Sequence, residues 1–403
     1  MSRPTVVLVG TLDTKGEEYA YLRERLEQAG VATLLVDVGT QGSPRARPDV
    51  SREDVAAAGG FELVSLTDRG AAVQAMCAAA PVVVGRLFEE GRCQGVLAAG
   101  GSGNTAIATA AMRALPVGVP KLVVSTMAAG DTSAYVDVSD VTLMPAVTDV
   151  AGLNSVSARI LANAAAAMAG MVTARPVDLG ESRPVVAATM FGVTTQAVTA
   201  AREELERRGY EVLVFHATGT GGRSMESLVE AGFVRGVLDV TTTELADDLV
   251  GGVLSAGPHR LEVAGRRGVP QVVSLGALDM VNFGARKSVP ARFAARNLYV
   301  HNPSVTLMRT TPEECRELGR RLGAKLSAAT GPVALFVPLR GISAISGEGG
   351  PFYDPDADAA LLAGLRETLD PSVEVHEVDA HVNDSAFAMA LAARLDEFLG
   401  GHA

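Results

Sequence analysis

Short runs rich in valine and leucine alternate with stretches of helical period along this chain, and that alternation confines it to parallel α/β architectures. One βαβ unit is readable directly. Val6 to Val9 form a buried strand, Tyr19, Leu22 and Leu26 recur at spacings of three and four, Gly30 stops the helix, and Ala32 to Val36 begin the next strand. With 403 residues the chain has room for two or three domains, and 48% hydrophobic against 20% charged residues excludes a disordered or coiled-coil chain.

The segment Thr173 to Pro184 is polar and bounded by prolines, and a new strand starts at Val185, so the domain boundary is expected there, with domains at 1–178 and 184–403. Laid against itself, the chain pairs Leu26, Gly30, Asp37 and Gly42 with Leu205, Gly209, His216 and Gly221 at one constant offset. Gly95-Val96-Leu97 recurs as Gly236-Val237-Leu238, and Gly118-Val119-Pro120 as Gly268-Val269-Pro270. A Gly-Val-Pro before a buried strand is common in α/β proteins, but the conserved order of the matches favours duplication. The expected fold is α/β, with two Rossmann-like doubly wound parallel-sheet subdomains related by internal duplication.

A formal net charge of −11 repels phosphate backbones and anionic lipid, which argues against nucleic-acid or membrane partners. Three cysteines, Cys77, Cys93 and Cys315, are too few and too dispersed for a disulfide framework, and no signal peptide is recognisable, so a cytoplasmic location is expected. The Ala-rich stretch from Ile160 to Ala174 is shorter than the roughly 18 residues of a membrane span and reads as a buried helix.

In doubly wound sheets ligands sit beyond the carboxyl ends of strands, and the polar clusters of this chain follow its apolar runs. Gly10-Thr11-Leu12-Asp13-Thr14-Lys15-Gly16 is not a Walker loop, since its lysine precedes the glycine; either phosphate contact or an ordinary capped turn fits it. Gly100-Gly101-Ser102-Gly103-Asn104-Thr105 is the better anion cradle, because its glycines let backbone amides approach a ligand and no acid follows from Ala106 to Leu115. Asp37 ends the second strand, where an acid either accepts ribose hydroxyls or is simply solvated, and Asp131 can line the same cleft or hold magnesium through water.

All six histidines follow residue 215, so imidazole chemistry belongs to the second half. Its candidate catalytic residues are His216, Glu244 and Asp279, and its candidate anion contacts are Gly219, Gly221, Gly222, Arg223, Thr242 and Arg309. A satisfied histidine, a helix cap at the threonines and a structural salt bridge at Arg309 are the bland alternatives. No HExxH or close histidine pair points to a metal site. Pro338 to Pro355 forms a long glycine-rich segment able to cover a cleft.

Jointly these motifs resemble the Tm-1-like ATP-binding family, an uncharacterised family related to a plant virus-resistance protein. The resemblance rests on GTLDTKGEE at 10–18, GGSGNTA at 100–106 and VSTMAAGD at 124–131 in the first half. FHATGTGG at 215–222, LDVTTTELAD at 238–247, GALDMVNFG at 276–284 and HNPSVTLMRTT at 301–311 carry it through the second. It implies Rossmann-like halves, a homodimer, and ATP in the first half, with magnesium as an optional companion. It also implies phosphates cradled by Gly100 to Thr105, with Asp37 and Arg86 flanking them. The other reading is a metabolic enzyme acting on a small carboxylated or carbonyl substrate around His216, without catalytic use of ATP.

Overall fold

The computed structural model describes residues 3–174 and 183–401, and the chain divides into two compact units, 1–178 and 179–403. The expected boundary falls on 175–182, outside the described residues. In the first unit β1 (Thr5–Gly10), β2 (Ala32–Asp37), β3 (Gly95–Gly100), β4 (Lys121–Ser125) and β5 (Thr142–Pro145) form one parallel sheet in the order β2-β1-β3-β4-β5. Six helices join them: α1 (Leu12–Gln28), α2 (Arg52–Ala58), α3 (Arg69–Glu89), α4 (Ser102–Arg113), α5 (Ser133–Val136) and α6 (Ser155–Thr173).

The strand period of two sorts side chains between the faces. Val7 and Val9 pack with α3 and α4, whereas Val6 and Leu8 pack with Tyr19, Leu22 and Leu26 of α1 and with α6. Both faces are thus covered, which is why these strands read as continuous apolar runs. Helices α3 and α6 have the length and composition of membrane spans, but each lays an apolar side on this sheet. The stretch expected at 160–174 is a longer helix of 19 residues, because Asn154 caps it six residues before the apolar run and closes a capping box with Ser157.

The second unit repeats the topology with one strand more. Here β6 (Val185–Met190), β7 (Glu211–His216), β8 (Gly236–Thr241), β9 (Gln271–Gly276), β13 (Val333–Pro338) and β14 (Glu374–Val378) lie parallel in the order β14-β13-β9-β8-β6-β7. Its helices are α7 (Thr195–Arg207), α8 (Thr220–Glu230), α9 (Glu244–Val250), α10 (Val263–Arg266), α11 (Pro312–Ser327), α12 (Pro355–Thr368) and α13 (Ser385–Phe398). Read in chain order, both sheets begin second-first-third-fourth, so each unit is Rossmann-like and doubly wound.

The internal repeat lands on equivalent places. Gly30 (φ +85°) and Gly209 (φ +95°) each follow the first helix of their sheet in the left-handed region. Asp37 and His216 each end a second strand, Gly95 and Gly236 each open a third, and Pro120 and Pro270 each precede a fourth. Only the pairing of Gly42 with Gly221 separates, the former lying in a turn with φ +50° and the latter in α8.

Inserted after β9 is an antiparallel sheet that the sequence analysis did not anticipate, β10 (Met280–Phe283), β11 (Leu298–Asn302) and β12 (Val305–Arg309), in the order β10-β12-β11. Its hairpin turns where Asn302 Oδ1 accepts from the Ser304 amide and hydroxyl, both at 2.9 Å. The insertion is tied down by Asp247 of α9, which accepts from the Asn282 amide (3.0 Å) and side chain (2.5 Å).

In the first unit α1 leaves β1 on one face of the sheet and α4 leaves β3 on the other, so a gap opens between these neighbouring strands. Tyr19 fills it. Its hydroxyl lies 2.5 Å from Val9 O and 3.1 Å from Ala99 O, and accepts from the Ala99 amide at 2.8 Å and from Asn104 Nδ2 at 3.1 Å. Its ring occupies the space over Gly10, where a Cβ would come within 2.2 Å.

Two outcomes follow. Tyr19→Phe leaves a buried amide and the Asn104 side chain without this partner, so urea unfolding of the first unit should show a loss of about 2 kcal/mol; a loss under about 0.5 kcal/mol would mean that the hydroxyl is not the tie. Burial raises the Asp247 carboxyl from 3.8 to about 7, so the folded chain keeps a proton that the unfolded chain releases. That stabilisation is complete below about pH 4 and is lost as pH rises through about 7. Asp247→Asn, which cannot ionise, should therefore gain on the parent chain by several degrees in melting temperature between pH 5 and pH 8, and parallel profiles would refute it.

Candidate functional site

The carboxyl edge of the first sheet brings the loops after β1 and β3 together at the gap filled by Tyr19. Helix α4 starts there with Gly101 as its cap residue, no side-chain cap and no acid in its first turn. The Thr105 amide bonds to Gly101 O at 2.9 Å, so the amides of Ser102 and Gly103 precede the first intrahelical bond. Ser102 is exposed at this point.

The three glycines of the loop have different reasons to be glycine. At Gly100 a Cβ would come within 2.7 Å of Asn104 Cβ, so packing demands it. At Gly101 and Gly103 the nearest atoms to an added Cβ, Thr126 Oγ1 and Val73 Cγ2, are each 3.9 Å away, and neither residue has positive φ. Internal packing does not demand those two.

The other residues expected here divide into builders and bystanders. Asn104 is buried, donates to Ala99 O at 3.1 Å and accepts the Thr11 amide at 3.0 Å, which fastens the β1 loop to β3. Thr105 is also buried, 2.6 Å from Ser125 Oγ and donating to Gly101 O at 2.8 Å. Lys15 donates to Val150 O, on the segment after β5, and so braces the loops.

Asp37 Oδ1 accepts the amides of Leu12 (3.1 Å) and Gly39 (2.8 Å), while Asp13 Oδ2 accepts the Gln41 amide (2.8 Å). The remaining oxygens, Asp37 Oδ2 and Asp13 Oδ1, are buried without a partner. Burial pushes the Asp37 carboxyl above its ordinary range. Asp37 thus holds the loop together through one oxygen, and its other oxygen is closed to solvent. Asp131 is exposed and accepts from the Ser133 amide (3.0 Å) and hydroxyl (2.7 Å), bonds that hold its carboxyl below the ordinary range. Arg86 lies in the last turn of α3, which runs back to the start of β3, and therefore sits at the opposite edge of the sheet from α4's first turn.

The second unit is built differently at the corresponding edge. Arg260, fully buried in the irregular segment before α10, donates to both oxygens of Asp239 (2.6 and 2.8 Å) and to Glu244 Oε2 (2.6 Å). Glu244 Oε1 accepts the amides of Gly219 (2.6 Å) and Gly222 (3.1 Å) at the start of α8. The protein's own carboxylate thus fills the anion cradle expected at Gly219, Gly221 and Gly222. At Gly222 a Cβ would come within 2.2 Å of Glu244 Oε2, and at Gly221 within 1.7 Å of His216 O, so packing requires both glycines. Arg223 Nε lies 3.4 Å from Gly219 O.

The hydroxyls of the threonine cluster are turned into the fold. Thr241, Thr242 and Thr243 are all buried; Thr242 donates to Ser274 O at 3.2 Å and Thr241 meets Thr194 Oγ1 at 2.7 Å. Arg309 is structural, donating to Phe352 O (2.9 Å), Thr310 Oγ1 (2.9 Å) and Asp358 Oδ1 (2.7 Å). Asp279 accepts from Ser343 Oγ at 2.7 Å, and burial pushes its carboxyl up to about 6. His216 is exposed at the end of edge strand β7, with β6 and β8 between it and the β9 end that leads to Asp279. His216, Glu244 and Asp279 therefore do not form one catalytic group.

Sequence reasoning passed over Arg260 and took Asp239 only as the start of a polar strand-end cluster, although a signal for their pairing existed. Asp239 interrupts the otherwise apolar strand Gly236–Thr241, and a carboxylate in a central strand requires a cation.

The description "Uncharacterised protein family (UPF0261) N-terminal domain" matches residues 4–176, and the corresponding C-terminal domain matches 183–399. A UPF0261 protein of Clostridium tetani is 49% identical over 394 residues, which are 97% of this chain and 98% of that protein. The ToMV resistance protein Tm-1(GCR237) of Solanum lycopersicum is 39% identical over 421 residues, spanning 98% of this chain and 55% of that protein's length. Among solved structures, UDP-N-acetylglucosamine 2-epimerase from Rickettsia bellii is 11% identical over 68% of this chain and 79% of its own, and its TM-score of 0.24 is too low to support an argument. Two family domains matched in order across nearly the whole chain, with a bacterial relative similar over nearly its full length, establish that the protein belongs to the UPF0261 family, among whose homologues is the tomato Tm-1 protein.

Proposed function

We propose that the first unit binds ATP, with the phosphates on the first-turn amides of α4. The observation that carries this reading is the pair Gly101 and Gly103, glycines that neither backbone angle nor packing demands, at a helix start with no cap and no acid. A missing Cβ there lets an anion come close to the amides, and the helix dipole favours its charge. The choice of ATP among phosphorylated ligands follows the resemblance to the Tm-1-like ATP-binding family. Exposed Ser102 adds a hydroxyl beside the phosphates.

Among the described residues no group of three or more His, Cys, Asp or Glu side chains is placed to share a metal. In this reading magnesium would be held by the phosphates and water, which suits an ion that keeps much of its hydration shell. Cys93 and Cys315 are buried free thiols whose acidity burial suppresses, to about 11 in each case, which suits the reducing cytoplasm proposed for this protein. The enzyme reading around His216 gains less support, because Glu244, Thr242 and Arg309 are bonded within the fold.

The test is calorimetric titration of the full chain with ATP and magnesium, followed by assay of the same mixture for ADP. Gly103→Glu places a carboxylate at the helix start without a steric clash, so its melting temperature should be unchanged or slightly higher. Its ATP affinity should fall at least about a hundredfold through charge repulsion and blocked approach. Undiminished affinity in the variant would remove the phosphates from α4.

A further inference from the structure

The second unit contains a cavity of about 670 Å3 at the carboxyl ends of β9 and β13. Leu275, Val337, Ile342, Leu361 and Leu362 give it an apolar wall, and α12 forms one side. The glycine-rich segment after β13, expected from sequence as able to cover a cleft, lines this cavity and is tied to the fold. Ile342 O accepts the Ala277 amide (2.8 Å), Ser343 Oγ donates to Asp279 (2.7 Å), and Phe352 is fully buried with its carbonyl held by Arg309 (2.9 Å). Gly341, at φ +131°, passes so close to His381 that a Cβ would meet its ring at 2.8 Å.

The polar groups on this cavity are mostly committed, and the commitments are unequal by charge. Arg340 is held by both oxygens of Asp379 at 2.6 Å. His381 has both ring nitrogens engaged, Nε2 donating to Ser343 O (2.9 Å) and Nδ1 accepting from the Asn383 amide (3.1 Å). Ser346 Oγ accepts the amides of Ile342 (2.9 Å) and Ser343 (3.0 Å).

Apart from the Tyr353 hydroxyl, what remains is acidic. Asp358 lines the cavity with one oxygen on Arg309 (2.7 Å), and Glu348 is exposed at the mouth. The charge of Arg309 also favours ionisation of buried Asp279 behind the wall, so one guanidinium serves two carboxylates. The local field is negative, and burial already holds the Asp358 carboxyl above its ordinary range for want of a fuller counter-charge.

We propose that this cavity is a second ligand site that takes a small molecule with an apolar body and an ammonium group, the ammonium resting between Asp358 and Glu348. A cation is favoured over an anion, since the lining cations Arg340 and His381 already have partners within the fold. The proposal is independent of nucleotide binding in the first unit.

Titration of the full chain with hexylammonium and with hexanoate, followed by nuclear magnetic resonance or calorimetry, tests it. Hexylammonium should bind at millimolar concentration or below, and hexanoate at least about tenfold more weakly. Glu348→Gln, at an exposed position, should weaken hexylammonium about tenfold with no change in melting temperature. Ala359→Trp, from an exposed position on α12 into the cavity, should abolish binding. Equal or tighter binding of hexanoate, no binding of either probe, or hexylammonium affinity unchanged in both variants would each overturn the proposal.

Discussion

The gap between the first and third strands of each sheet is the constraint on which both units depend. Helices that leave neighbouring parallel strands on opposite faces part at the carboxyl edge, and something must satisfy the backbone exposed between them. In the first unit the filling is neutral: the Tyr19 hydroxyl and the Asn104 amide hold β1, β3 and the loop after β1. Because those groups satisfy the strands from within, the first turn of α4 is left facing outward. In the second unit the filling is ionic, with Arg260 between Asp239 and Glu244, and Glu244 carries the connection onward to the amides of α8.

The two fillings differ in what they tolerate. A hydroxyl and an amide can lose one bond at a modest cost, whereas a buried ion pair stripped of one partner typically loses about 3 to 5 kcal/mol, since the charge left behind is uncompensated. Arg260 faces Asp239, Glu244 and, at 3.9 Å, Glu226, so the cluster has more acid than base. Burial accordingly pushes Glu226 up to about 6, with Arg260 opposing that shift. The second unit is the more rigidly specified of the two at this edge and the more exposed to changes of proton activity.

Much of this was legible in the chain. Period two in Val6 to Val9 and period 3.6 in Tyr19, Leu22 and Leu26 gave strand and helix, and the repeated glycines and prolines marked equivalent turns in two sheets. Strand-end polarity located the carboxyl edges correctly, but not which residues face outward. Periodicity says that Tyr19 is buried and nothing about the bonds of its hydroxyl. The threonines at 241–243 look hydrophilic in one dimension, yet their hydroxyls turn inward to fold groups. Arg260 lies in an irregular segment far along the chain from Asp239, so no local pattern joins them. Arg86 was misplaced for a topological reason, since a crossover helix ends at the edge of the sheet opposite to the one where it began.

Glu244 also makes the two halves unequal competitors for any anion. A carboxylate carried on the same chain is present at its cradle at an effective concentration far above that of a free anion in solution, and it brings its guanidinium counter-ion with it. A phosphate arriving at α8 would have to expel a tethered rival and take from Arg260 one of its carboxylate partners. The two Rossmann-like halves thus differ in occupancy at this helix start, where a single well-placed acid in the second half takes the amides that the first half leaves open.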